Sequence, residues 1–168
     1  MSTQRKSANT LVLGIGNRLM TDDSIGPLAA DHMAERMLEG VLVLDGGTVG
    51  MALLPDIEDC DHLVVFDAGN VGLNPGDVKV LEGDAMLSAL AGRRLTAHEA
   101  SLSDMLTAAR INGTAPRRYA LIAVQAQVIA LGLEPTPEIA AARDHMVDEA
   151  VALLARWGLE DKESTNVL

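Results

Sequence analysis

Leu11-Val-Leu-Gly-Ile-Gly-Asn-Arg-Leu-Met-Thr-Asp-Asp-Ser-Ile-Gly-Pro27 reads as a buried strand, a tight turn and the start of a helix. The apolar run from Thr10 to Leu13 has the form of a strand covered on both faces. Gly14 and Gly16 let the backbone leave the sheet. The turn ends in two carboxylates, Asp22 and Asp23. Pro27 fits only the first turn of a helix, which fixes the helix start near Asp23 or Ser24. A carboxylate at that place can cap free backbone N–H groups, which accounts for one of the pair. The other is left over at the carboxyl end of a strand, where open α/β sheets carry their sites.

Outward from this stretch the same grammar repeats. Residues 24–38 form a helix stopped by Gly40, and residues 41–44 a second buried strand ending at Asp45-Gly46-Gly47-Thr48. Residues 50–57 form a short helix. Residues 62–66 form a third strand ending in Asp67-Ala68-Gly69-Asn70. After the turn Asn74-Pro75-Gly76-Asp77, residues 78–81 alternate as an edge strand would. Thr96-Ala-His-Glu99 has the form of a capping box and opens a helix with Leu102, Met105, Leu106 and Ala109 on one face. Residues 119–124 form another buried strand. Pro135-Thr136-Pro137 starts a last helix over 138–157. This alternation predicts a three-layer α/β fold, a mostly parallel twisted sheet with helices on both faces. One domain over residues 10–158 is expected, between a loose tail at 1–9 and a polar tail at 159–168.

Composition narrows the function. The chain has 168 residues, 48% hydrophobic but only 2% aromatic, and a net charge of −11. Such a charge repels phosphate backbones, and so few aromatics leave little for base stacking, so no nucleic-acid partner is expected. The single cysteine, Cys60, permits no disulfide framework and reads as a small, partly buried hydrophobe. No apolar run reaches about 18 residues and no signal peptide is visible, so a cytoplasmic protein away from membranes is expected.

Three polar residues combine into a possible site. Asp23 follows the first strand, Asp67 ends the third, and His98 is near the second residue of the capped helix. Strand carboxyl ends and helix N-termini share one edge of a parallel sheet, so the three side chains can converge. Two carboxylates and one imidazole make an open N/O site that would hold a divalent metal loosely, with nickel, copper or zinc preferred over magnesium. Each residue alone also has a plain reading: a strand-end aspartate is often a cap, and a helix histidine often faces solvent. His32 reads as core-edge packing, His62 belongs at the opposite edge, and His145 faces away from its helix's apolar stripe. Glu58-Asp59 and Glu160-Asp161 read as solvated surface. Gly14-x-Gly16 with Asp45 also permits a dinucleotide site, although Leu19 stands where its third glycine belongs.

Gly14-Ile-Gly-Asn-Arg-Leu-Met-Thr-Asp-Asp-Ser-Ile-Gly26, Asp45-Gly-Gly-Thr48, Asp61-His-Leu-Val-Val-Phe-Asp-Ala68 and Thr96-Ala-His-Glu-Ala-Ser-Leu-Ser-Asp-Met-Leu106 occur in family order. Together they resemble the nickel–iron hydrogenase maturation endopeptidases over residues 10 to 157. The resemblance implies a hydrolase that removes the C-terminal extension of a hydrogenase large-subunit precursor after nickel insertion. It places the metal contacts, and with them the catalytic role, on Asp23, Asp67 and His98. Many members carry Glu at the first position. It also implies that Gly46, Gly47 and Thr48 position the substrate. Nickel would come with the precursor, no tightly bound organic cofactor is implied, and a monomer is the simplest state. Whether the metal polarises the attacking water, or marks the substrate beside an aspartyl-type mechanism, stays open. A nickel-dependent chaperone that grips the precursor without cutting it is the competing reading.

Overall fold

The computed structural model describes residues 10–47, 50–91 and 97–158, with the side chains of 97–99 excepted. Five strands form one sheet in the order β2-β1-β3-β5-β4. They are β1 (Thr10–Ile15), β2 (Val41–Gly47), β3 (His62–Gly69), β4 (Val78–Glu82) and β5 (Arg118–Gln125). All pairings are parallel except β4 with β5. The helices are α1 (Ile25–Ala34), α2 (Leu54–Asp59), α3 (Asp84–Ala91), α4 (Ala97–Ile111) and α5 (Pro137–Arg156). Short 3-10 turns at Thr21–Ser24 and Gly50–Leu53 lead into α1 and α2.

Strand alternation sorts the core into two layers. Val12, Val64, Phe66, Ile122 and Val124 face α1 and α5, packing on Ile25, Met33, Ile139, Met146 and Leu153. Leu11, Leu13, Leu63, Val65 and Leu121 face the other way, toward Ile57, Met86, Leu102 and Leu106. The central strands are buried on both faces, as their uninterrupted apolar runs predict.

The expected α/β architecture is present, with differences in its parts. β2 is an edge strand, half-buried rather than buried, with Leu42 exposed. An apolar run cannot tell a central strand from an edge strand whose inner neighbour supplies the cover. α1 ends at Ala34, not 38, and Met37 takes a left-handed φ of 51° and lies exposed. The 50–57 helix divides into a 3-10 turn and α2. β3 continues through Asp67 to Gly69, because β5 pairs with it to Gln125. α3 is an additional short helix, with Asp84 in its first turn. The capping residue Thr96, the tails at 1–9 and 159–168, and Thr48 lie outside the described residues.

Gly14 also differs from expectation. It lies inside β1, paired with Asp45 and Phe66, and does not make the turn. A Cβ there would stand 2.4 Å from the Gly26 carbonyl oxygen and 2.7 Å from the Ala30 Cβ. Its role is to let α1 lie directly on the strand. The turn belongs to Gly16, whose φ is 135°.

Candidate active site

The chain runs from β1 outward to β2, then crosses back to β3 on the other side of β1. β1 and β3 therefore flank the topological switch point, where the strand carboxyl ends open into a crevice. Asp23 follows β1 and Asp67 lies near the end of β3, so the two candidate carboxylates come from the two strands that bound this crevice.

Both are buried. Asp23 Oδ2 accepts the Asn17 backbone N–H at 2.8 Å. Gly16 lies against the same residue, since a Cβ at position 16 would stand 2.0 Å from the Asp23 carbonyl oxygen and 3.4 Å from Oδ1. Asp67 Oδ1 accepts the Ala68 backbone N–H at 2.8 Å. By the alternation of β3, Asp67 falls on the face of Leu63 and Val65, the face covered by α4.

His98 is the second residue of α4. That helix starts at the carboxyl edge: a Cβ on Gly50 would stand 3.4 Å from Ser101 Oγ, one turn further along α4. At its other end Asn112 reaches Glu58 beside the amino edge. The backbone of His98 is thus at the edge shared with Asp23 and Asp67, and its side chain lies outside the described residues. Among the described residues no group of three or more His, Cys, Asp and Glu side chains gathers into a metal site.

Asp22 is also buried, facing a different partner. Its Oδ2 accepts the backbone N–H groups of Gln127 and Val128 at 2.8 and 2.7 Å. Its Oδ1 accepts the backbone N–H and the hydroxyl of Thr136 at 2.7 and 2.8 Å. Burial raises the cost of its charge, but the donors of Val128, Thr136 and Gln127 outweigh it and hold the carboxyl below the ordinary aspartate range. Asp22 is therefore a brace for the β5–α5 connection, not a cap for its own helix.

The β2 exit is fixed by Arg18. Its Nε donates to Asp45 at 2.8 Å, and its two terminal nitrogens donate to Asp31 of α1 at 2.8 and 2.9 Å. The other Asp45 oxygen accepts the Gly47 N–H at 2.8 Å. Asp45 thus shapes the Gly46-Gly47 end of β2, where the register with β1 shifts, work that differs from the ribose contact of a dinucleotide site. Gly46 is packed against Leu53, Gly14 and Ile15.

A family model described as hydrogenase maturation protease matches residues 28–153. The chain belongs to the hydrogenase maturation protease family. The protein is accordingly a peptidase, a hydrolase. It is 34% identical over 158 residues to the hydrogenase expression/formation protein HupD of Rhodobacter capsulatus, covering 92% of this chain and 75% of that one. It is 34% identical over 153 residues to the hydrogenase 2 maturation protease of Escherichia coli, covering 89% and 93%. The solved hydrogenase maturating endopeptidase HybD of E. coli superimposes with a TM-score of 0.83 at 30% identity, over 89% of this chain and 94% of that one. Membership in this protease family replaces the dinucleotide reading. The stretch matched by the family model contains Asp67 and His98, and the HupD alignment extends over most of the chain.

The other polar residues sort as follows. His32 packs at the rim of α1, with ring nitrogens 3.2 Å from Glu35 and 3.1 Å from Asp144. His62 starts β3 at the opposite edge and stacks on Trp157 with ring centroids 5.6 Å apart. His145 is exposed, 3.9 Å from Glu149. Glu58 is not merely solvated: it accepts from Asn112 Nδ2 and Thr114 Oγ1, both at 2.9 Å, tying α2 to the end of α4. Glu160 and Asp161 lie outside the described residues. No described helix is long and apolar enough to cross a membrane.

Proposed function

We propose that this protease removes the C-terminal extension of a nickel–iron hydrogenase large-subunit precursor after nickel insertion, with Asp23, Asp67 and His98 contacting the precursor's nickel. The supporting observation is placement: two buried carboxylates stand on the strands flanking the switch point, and the helix bearing His98 starts at the same edge. Nickel belongs to the substrate in this reading. A single imidazole with two carboxylates suits a borderline divalent ion while leaving positions for the precursor's own ligands. The metal fixes the precursor so that its scissile peptide lies over the crevice. Water then adds to the carbonyl carbon, the C–N bond breaks, and the proton taken up by an aspartate passes to the leaving amine. Gly46 and Gly47 at the end of β2, held by Asp45 and Arg18, position the incoming chain together with Thr48. A cytoplasmic monomer suits this role, and the lone, buried Cys60 fits a reducing compartment.

Intact-mass analysis of a purified precursor, with and without nickel loading, tests the reading. Loss of a C-terminal peptide only from the nickel-loaded form is expected. Trimming without nickel would remove the metal as the signal, and a nickel-dependent complex without trimming would favour the chaperone reading.

A further inference from the structure

The connection between β5 and α5 carries no charged residue over 126–133, in a chain of net charge −11. Ala126 packs on the core, but the larger apolar side chains beyond it do not turn inward. Leu131 is 86% exposed and Leu133 76%, with Val128 and Ile129 also exposed. Leu19, 55% exposed at the β1 exit, is brought to them by a parallel bridge between Met20 and Gly132. The Gly132 N–H donates to the Leu19 carbonyl, and the Thr21 N–H donates to the Gly132 carbonyl, both at 2.9 Å. Leu19 and Leu131 thus precede the same bridged pair and stand side by side.

This apolar crescent is held in place from beneath. Thr21 Oγ1 donates to the Val128 carbonyl at 2.7 Å and accepts the Ala130 N–H at 3.0 Å. A Cβ on Gly132 would stand 2.7 Å from Thr21 Cγ2, so the two segments touch. Asp22 grips Gln127, Val128 and Thr136, and its chain neighbour is Asp23. Apolar side chains kept in water by a braced backbone mark an interaction surface.

We propose that Leu19, Val128, Ile129, Leu131 and Leu133 form the docking surface for an apolar, uncharged segment of the large-subunit precursor beside its scissile bond. The proposal rests on the protease reading above and names how that site holds its client. Two observations select this occupant. Asp22, which holds the backbone beneath the crescent, is the chain neighbour of Asp23, so the crescent is tied to the candidate site through two adjacent buried residues. It also offers no cation between residues 126 and 133, so recognition there is by apolar area rather than by charge.

The test is the double variant Leu131→Glu/Leu133→Glu with a nickel-loaded precursor, beside the control variants Met37→Glu and Ile111→Glu. The control residues are equally exposed, but Met37 lies just past the C-terminal end of α1 and Ile111 is the last residue of α4, both at the opposite edge. The expected result is KM raised about tenfold or more, kcat at saturation within about twofold, and an unchanged melting temperature, with both controls like wild type. Unchanged KM in a double variant that cleaves would overturn the proposal. Should the double variant unfold, Leu131→Ser alone is measured against the same expectation. If wild type binds the precursor but does not cut it, the protease reading fails separately. Co-elution of precursor with wild type but not with the double variant would still support docking, and equal co-elution would overturn it. A wild-type dimer that the double variant dissolves would assign the crescent to a second copy of this chain and overturn the proposal.

Discussion

Asp22 holds Thr136 twice, through its backbone N–H at 2.7 Å and its hydroxyl at 2.8 Å, across 114 residues of sequence. Thr136 is the N-cap residue of α5, and its hydroxyl serves Asp22 instead of capping its own helix. The residue next to a candidate catalytic carboxylate therefore fixes where the last helix begins. Asp22→Asn offers one carbonyl oxygen to four donors and turns an NH2 toward the rest. A loss of about 2–4 kcal/mol is expected, read from urea unfolding at pH 7. The native carboxyl lies below its unfolded value of about 3.9, so its stabilisation is present above that pH and disappears as pH falls through the native value. Wild type should therefore lose stability more steeply than Asp22→Asn on acidification below about pH 4.

Asp23 and Asp67 are predicted to matter for cleavage through their charge and ligand oxygens. Asp23→Asn and Asp67→Asn should each lower kcat/KM on nickel-loaded precursor by about 100-fold or more. Asp23→Glu keeps the carboxylate one methylene further out and should retain more activity than Asp23→Asn. Circular dichroism on each variant separates lost chemistry from lost fold. Equal, near-wild-type activity in all three would remove these residues from the site.

Gly14 is set by contact rather than by turn geometry. Gly14→Ala puts a methyl group into the Gly26 carbonyl and the Ala30 side chain, forcing α1 off the sheet. A cost of about 2–3 kcal/mol is expected from such overpacking. The same variant should reduce activity, because the 3-10 turn that carries Asp23 leads directly into α1. Differential scanning calorimetry and the cleavage assay measure the two effects.

Cys60 is buried, and its thiol donates to the Ile57 carbonyl at 3.2 Å. Burial pushes the thiol up to about 12, so almost no thiolate exists at pH 8. Native protein should resist iodoacetamide at that pH, while protein unfolded in urea should take up one label. Rapid labelling of the native state, followed by mass spectrometry, would contradict this placement.

His62 stacks on Trp157 while its Nδ1 is buried without a hydrogen-bond partner. Burial lowers its affinity for a proton below that of an ordinary histidine. The unfolded state therefore takes up a proton first as pH falls below about 6.5, and folding loses stability there. His62→Phe keeps the ring stack and removes both penalties. Its stability relative to wild type should be higher at pH 5 than at pH 8, as read by thermal melts at the two values.

Much of the architecture was legible in local pattern. The first strand begins at Thr10 as predicted, β4 is the expected edge strand, and the α4 stripe of Leu102, Met105, Leu106 and Ala109 is buried. The α5 face of Ile139, Ala142, Met146, Ala150, Leu153 and Leu154 is also buried, with half-covered Trp157 just past the helix end. Such features are written in nearest-neighbour spacing, because an apolar run or a 3.6-residue stripe states by itself which face leaves water. Placing Asp23, Asp67 and His98 at one edge also followed from sequence, since parallel strands put all their carboxyl ends together.

Tertiary structure alone decided the rest. It made β2 an edge strand, because only the pairing order says which strand has one neighbour. It separated Asp22 from Asp23: adjacent and chemically identical, they differ only in what distant segment faces each. It gave Glu58 its partners Asn112 and Thr114, more than 50 residues away. It also left Val128, Ile129, Leu131 and Leu133 exposed on a backbone held by Thr21 and Asp22 from more than 100 residues away. Backbone propensity and burial pattern act over a few residues and can be read along the chain. Hydrogen-bond satisfaction of a buried carboxylate depends on which groups the finished fold brings to it.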